Sequence, residues 1–114
     1  MNKLVLVILA IVATTLSSCQ LDIEPGTPGC IQSRIKDFSD KGIPCETGKS
    51  VQKYSFQDMT VYVFEPGTCG NDMTADIFDS NCNNLGFLGG IAGNTEINGE
   101  DFSNAVFIET VWNN

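Results

Sequence analysis

Apolar positions fall in distinct patterns along the chain. Leu4 to Leu16 is a 13-residue stretch whose first part, Leu4 to Ala13, is apolar without a break. Gln20 to Gly29 has no periodicity, and Pro25, Gly26, Pro28 and Gly29 forbid regular structure there. From Cys30 to Lys41 the spacing is helical: Cys30, Ile31, Ile35 and Phe38 share one face, with Ser33, Arg34, Lys36 and Asp37 largely on the other. Asp37 and Lys41 make a favourable i,i+4 pair, and Gly42 and Pro44 stop the helix. Val51 to Phe56 alternates Gln52, Tyr54 and Phe56 against Val51, Lys53 and Ser55, which predicts a strand. Thr60 to Glu65 is apolar at every inner position and rich in β-branched and aromatic residues, as in a strand buried on both faces. Gln57-Asp58-Met59 turns between the two. Thr74 to Phe78 and Leu85 to Leu88 give two further strands around the polar turn Asp79 to Asn84. A glycine-rich connection, Gly89 to Asn94, follows, with one helical turn over Asp101 to Ala105. Val106 to Trp112 reads as a closing strand, with helix as the competing reading because Phe102, Ala105, Glu109 and Trp112 also lie three or four apart. The fold class is α+β: an N-terminal helix packed on an antiparallel sheet of four or five strands, held by two disulfides. No internal repeat is evident.

The first apolar run changes how the rest is read. A spanning helix needs roughly 20 apolar residues, so this run is too short to remain in a bilayer. Lys3 ahead of it and small residues behind it match a secretory signal. Leu16-Ser17-Ser18-Cys19 resembles the lipobox of bacterial lipoproteins. That resemblance implies diacylglycerol on the Cys19 sulfur, cleavage before it and acylation of the new amine. Residues 1–18 are then a signal peptide, 19–29 a lipidated flexible tether and 30–114 a single domain. Several acyl chains make a durable anchor where one is marginal. By resemblance to Gram-negative lipoproteins, Gln20 in place of an aspartate favours the outer membrane, with its periplasmic or surface face undetermined.

Cleavage takes 18 of 114 residues and leaves 96, enough for one core. Removing Lys3 shifts the formal charge from −8 to −9. So acidic a body has little to neutralise phosphates with, which argues against nucleic acid and leaves room for a basic protein partner. It is also repelled by anionic lipid, so the membrane link rests on the lipid at Cys19.

The five cysteines make an odd number, which lipidation of Cys19 resolves. Cys30, Cys45, Cys69 and Cys82 can pair in three ways. Cys30–Cys45 and Cys69–Cys82 are favoured, because each brackets one supersecondary unit. Their spacing has no C-x-x-C and the chain has no histidine, which disfavours zinc. The lack of histidine also excludes Ser-His-Asp and Cys-His triads. Catalysis would have to rest on groups such as the carboxylates Asp72, Asp76, Asp79, Glu100 and Asp101.

Asp79, Asn81 and Asn83 alternate as in a calcium loop, but the sixth and twelfth positions hold Asn84 and Gly90, so an Asx-rich turn is favoured over a weak calcium site. Gly86, Gly89, Gly90 and Gly93 match no phosphate-loop spacing and are better suited to a bulge or tight bend. The loop of Gly89, Gly90, Gly93 and Asn94 is nonetheless a candidate binding loop, and Gly67 to Asp72 a second if the protein is an inhibitor. No cofactor or metal is expected.

Cys30-Ile31-Gln32-Ser33, Val61-Tyr62-Val63-Phe64, Thr68-Cys69-Gly70-Asn71-Asp72 and Leu88-Gly89-Gly90-Ile91-Ala92-Gly93 together resemble a family of small uncharacterised bacterial lipoproteins. The resemblance implies secretion and lipid anchoring and carries no activity. The expectation is a lipid-anchored envelope or cell-surface module that binds a protein or other ligand and is not an enzyme, with a small carboxylate-dependent hydrolase as the alternative.

Overall fold

The computed structural model describes residues 21–40, 48–67 and 73–114. The chain is α+β. Helix α1 (Gly29–Asp40) is followed by β1 (Ser50–Phe56), β2 (Met59–Glu65), β3 (Thr74–Asp79), β4 (Asn84–Gly89), β5 (Glu96–Ile97), β6 (Glu100–Asp101), a 3₁₀ turn (Phe102–Asn104) and β7 (Val106–Asn113). The main sheet is antiparallel in the order β4-β3-β2-β1-β7, and β5 and β6 form a separate ribbon. The last segment is therefore a strand, not a helix. It adds beside β1, where Trp112 aligns with Val51 and Phe107 with Tyr54.

The β1–β2 hairpin turns on two residues. Gln57 and Asp58 have φ of 51° and 59°, the left-handed pair that a tight hairpin twist requires. Central β2 is buried on both sides, as its composition predicts: Val61, Tyr62, Val63 and Phe64 are all at most 4% exposed. Strand alternation divides them. Tyr62 and Phe64 join Val51, Phe78, Val111 and Trp112 under Ile31 and Ile35 of α1. Val61 and Val63 join Phe56, Ala75 and Ile77 beneath Ile97 of the β5–β6 ribbon. The sheet thus has a helix face and a ribbon face. Phe38 makes edge contacts with Phe64 and Trp112 on the first. Phe102 packs on Tyr54 and Phe56 on the second.

The ribbon is the element the hydrophobic pattern misses. It is too short for periodicity to reveal. Its signal is the Asn98-Gly99 pair, whose φ values of 51° and 78° make a two-residue hairpin turn. Ile97 buries a large side chain from this short ribbon.

The disulfide framework differs from expectation. Cys30 is bonded to Cys82, with Cα atoms 6.1 Å apart, which overturns both Cys30–Cys45 and Cys69–Cys82. The expected pairs bracket units that are local in sequence. Instead, Arg34 of α1 lies over Phe78 near the end of β3, and the first turn of the helix meets the β3–β4 connection. Cys82 presents its sulfur from a left-handed backbone, φ 63°. Cys45, Cys69 and the lipobox cysteine Cys19 lie outside the described residues.

Residues 21–28 are irregular, as their prolines and glycines require, but they lie along the domain. Ile23 packs against the helix-face core. The Glu24 amide donates to the Val111 carbonyl at 3.0 Å, and buried Thr27 closes back on the Glu24 carbonyl at 2.7 Å. The Gln32 amide group then donates to the Thr27 carbonyl at 2.7 Å.

Candidate functional site

The glycine-rich loop is built to hold one shape. Gly89 and Asn94 exchange both main-chain hydrogen bonds, at 2.9 and 3.0 Å. The Asn94 side-chain amide donates to the carbonyls of Phe87 and Glu96, at 2.6 and 3.0 Å. The Gly90 amide reaches the Met73 carbonyl at 3.2 Å. Gly89 requires its residue type twice over: φ is +82°, and a β-carbon there would stand 3.0 Å from the Met73 carbonyl oxygen. The loop presents Ile91 at its tip, 90% exposed. Of the second candidate loop, Gly67 is described and residues 68–72 are not.

The root of this loop leads into a hollow of about 420 Å³ on the ribbon face, lined by Leu88, Asn94 and Thr95 on one side and Tyr54, Asp101 and Phe102 on another. Tyr54 meets Phe102 and Phe107 edge-on, at 5.2 and 5.6 Å between ring centres. The rings therefore run from the hollow to β7. Burial, and then the nearby Glu65 carboxylate, raise the Tyr54 hydroxyl above its ordinary value of 10.0. Tyr54 and Phe102 are the half-buried core aromatics the sequence predicts, whereas Phe107 is half exposed.

Strand β7 is an edge. Among the described residues no strand of the sheet lies beyond it, and only its Val111 end is crossed by the Glu24 amide. Its first half exposes three large apolar side chains in a row: Val106, Phe107 and Ile108, at 65%, 53% and 46%. Register shifts against β1 make Ile108 and Val111 the extra residues of two bulges.

Charge is distributed unevenly over the two faces. The described basic side chains stand on α1 or on the sheet face beneath it. Arg34 lies over the Phe78 ring at 4.3 Å, Lys36 belongs to α1, Lys49 donates to the Phe38 carbonyl at 3.1 Å, and Lys53 pairs with Glu109 at 3.5 Å. On the ribbon face, Glu65 follows Val61 and Val63 by alternation, and Glu96, Glu100 and Asp101 belong to the ribbon itself.

Among the described residues, the candidate acids do not form a facing pair. Asp76 shares the helix face with Phe64, its partner across the ladder, and burial raises its carboxyl against the opposing pull of Arg34. Glu65, raised by burial alone, lies on the opposite face. Asp79 spends its carboxylate on the turn: Oδ1 accepts from the Asn81 and Asn83 amides and Oδ2 from the Asn83 side chain, all at 2.9 Å. Those bonds, the Asn83 side-chain bond first, lower its pKa. Asp101 likewise caps the 3₁₀ turn through the Ser103 amide at 2.8 Å and is lowered by it. Glu100 accepts from Gln57 and Asn104. Asp72 is outside the described residues, among which no group of three potential metal ligands occurs.

A five-stranded antiparallel sheet covered by one helix and one two-stranded ribbon, with an aromatic hollow and an apolar edge, defines a small α+β domain. The chain belongs to the family described as Domain of unknown function (DUF6970), whose family model matches residues 36–114. No curated protein matches the chain, and no solved structure does.

Proposed function

We propose that the chain is a lipid-anchored module of the cell envelope or cell surface that acts by binding a protein and not by catalysis. Anchoring is supported by Leu16-Ser17-Ser18-Cys19 behind a short apolar run, and outer-membrane placement by Gln20. Binding is supported by one observation above the others: Val106, Phe107 and Ile108 stand exposed in a row on an edge strand. Val106 and Phe107 point to opposite faces of that strand, so the apolar exposure follows the edge itself, and exposed apolar edges mark interaction sites. The described carboxylates that a hydrolase would need are divided between opposite faces or engaged in turns.

Membrane fractionation tests the anchor. Cys19→Ala is expected to move the protein from the membrane to the soluble fraction and to abolish incorporation of labelled fatty acid. Retention of Cys19→Ala in the membrane would remove the anchoring half. Photo-crosslinking from position 107 in intact cells tests the binding half, which would fail if no protein adduct formed.

A narrower reading, an inhibitor that probes a cleft with its loop, is favoured by Ile91 at the tip of a loop tied by paired main-chain bonds. Ile91→Asp is expected to abolish inhibition of an envelope hydrolase while leaving the melting temperature unchanged.

A further inference from the structure

We propose that the open stretch of β7, Val106–Thr110, receives an extended basic segment of another protein as an added strand, and that cationic side chains of that segment lie over Phe107 and Tyr54 beside Asp101. The proposal deepens the binding reading above by naming the class of partner.

The argument begins with the edge. An exposed strand edge offers unpaired main-chain donors and acceptors, and proteins usually blunt it with lysine, proline or a cover. The first half of β7 carries neither lysine nor proline and shows apolar side chains instead. Residues 21–28 reach only as far as Val111. Strand addition draws affinity from main-chain bonds and specificity from alternate side chains. The bulge at Ile108 interrupts the main-chain row, so a guest strand needs side-chain anchorage as well.

Charge chooses the guest. The ribbon face bears Glu65, Glu96, Glu100 and Asp101, the last of which lines the hollow with Tyr54 and Phe102, while the described basic side chains all belong to the helix side. An arginine or lysine crossing from β7 toward the hollow meets aromatic rings first and the Asp101 carboxylate next. Rings and carboxylates both favour a cation. A second copy of this chain would bring its own acidic surface, at −8 overall, to the same place. An anionic bilayer is disfavoured on the same ground.

The test uses the full protein in detergent and two peptides of about eight residues, a typical strand length. One alternates lysine with valine, the other glutamate with valine. The lysine peptide is expected to bind, to slow amide exchange across Val106–Thr110, and to weaken several-fold as salt rises from about 0.05 to 0.5 M. Phe107→Ser, at an exposed position, should weaken it about tenfold, and Glu96→Lys about threefold. Equal binding of the glutamate peptide, unchanged exchange on β7, or β7 protection produced by protein concentration alone or by phosphatidylcholine vesicles alone would each overturn the proposal. Repeating the measurement on Cys19→Ala separates the two claims. Loss of anchoring leaves the peptide result standing, and loss of peptide binding by an anchored protein removes this inference alone.

Discussion

Glu65 and Asp79 lie in consecutive strands, yet their carboxyls are shifted in opposite directions. Burial holds Glu65 above its ordinary 4.5. A carboxyl whose folded pKa is raised binds its proton more tightly in the folded state, so stability falls as pH climbs from the unfolded value through the folded one. Glu65→Gln is therefore expected to melt higher than the parent at pH 7, and the advantage to fade below about pH 4.3, where the unfolded carboxyl is protonated too. Asp79 runs the other way. Its bonds to Asn83 and Asn81 depress the folded pKa, so its contribution is present above the unfolded value, about 3.9, and is lost as pH falls through the folded one. Asp79→Ala should melt lower at pH 7, by a margin that narrows in acid. Thermal melts across pH for both variants decide the two signs. The glycines allow a similar contrast. Gly89→Ala meets both a positive φ and the Met73 carbonyl, whereas Gly93 has a positive φ and open space around it. Chemical denaturation should show a loss of about 1–2 kcal/mol for Gly93→Ala and a clearly larger one for Gly89→Ala.

Among the elements, the disulfide that joins α1 to the β3–β4 turn closes a loop of sequence separation 52, far longer than either expected bridge. On chain-entropy grounds the double replacement of Cys30 and Cys82 by serine should cost about 4 kcal/mol, measured by urea unfolding. In a chain lipidated at Cys19, that bond leaves Cys45 and Cys69 as the remaining candidates for a bridge. Ser50 and Glu65 are ladder partners, so the chain enters β1 and leaves β2 side by side, five residues after Cys45 and four before Cys69. Non-reducing peptide mapping of the purified protein is expected to recover a Cys45–Cys69 peptide, and free thiols at both would refute it. Helix α1 and strands β1 to β4 and β7 were legible because each is long enough for its apolar positions to repeat, and β2 declared its double burial by having no polar alternate. What pattern could not convey was direction and pairing at a distance. Nothing near Cys30 tells that its helix begins over Cys82, and nothing around Tyr54 tells that Phe102 and Phe107 arrive beside it. The ribbon could have been found, since Asn98-Gly99 is a turn signal, but its strands are too short to show alternation. The Gly89–Asn94 loop was visible as a special backbone. The apolar edge was not, because exposure of Phe107 depends on β7 standing last in the sheet.

Taken whole, the domain is a sheet with dissimilar sides: the described basic groups gather toward the helix, among acids such as Asp37, Asp40, Asp76 and Glu109, whereas the ribbon face bears acids without described basic partners. Its link to Cys19 is shorter than composition implies. Ten irregular residues could extend about 30 Å, but with Glu24 bonded to Val111 the five from Cys19 to Ile23 span at most about 17 Å. In a lipid-anchored protein, spin-labelled lipids should therefore broaden backbone signals of β7 more than those of β3 and β4, and uniform broadening would contradict this. The same strap has a mechanical meaning. In a chain lipidated at Cys19, a pull on that end would load the packing of Ile23 and the Glu24–Val111 bond, which tie this strap to the helix-face core and to β7. The tension then arrives at Cys30, where a covalent path leads across to Cys82 in the β3–β4 turn. The fold thus carries a short irregular strap with a hard stop, so that a membrane pulling on a lipid at Cys19 would release the strap before it strained the disulfide-linked domain.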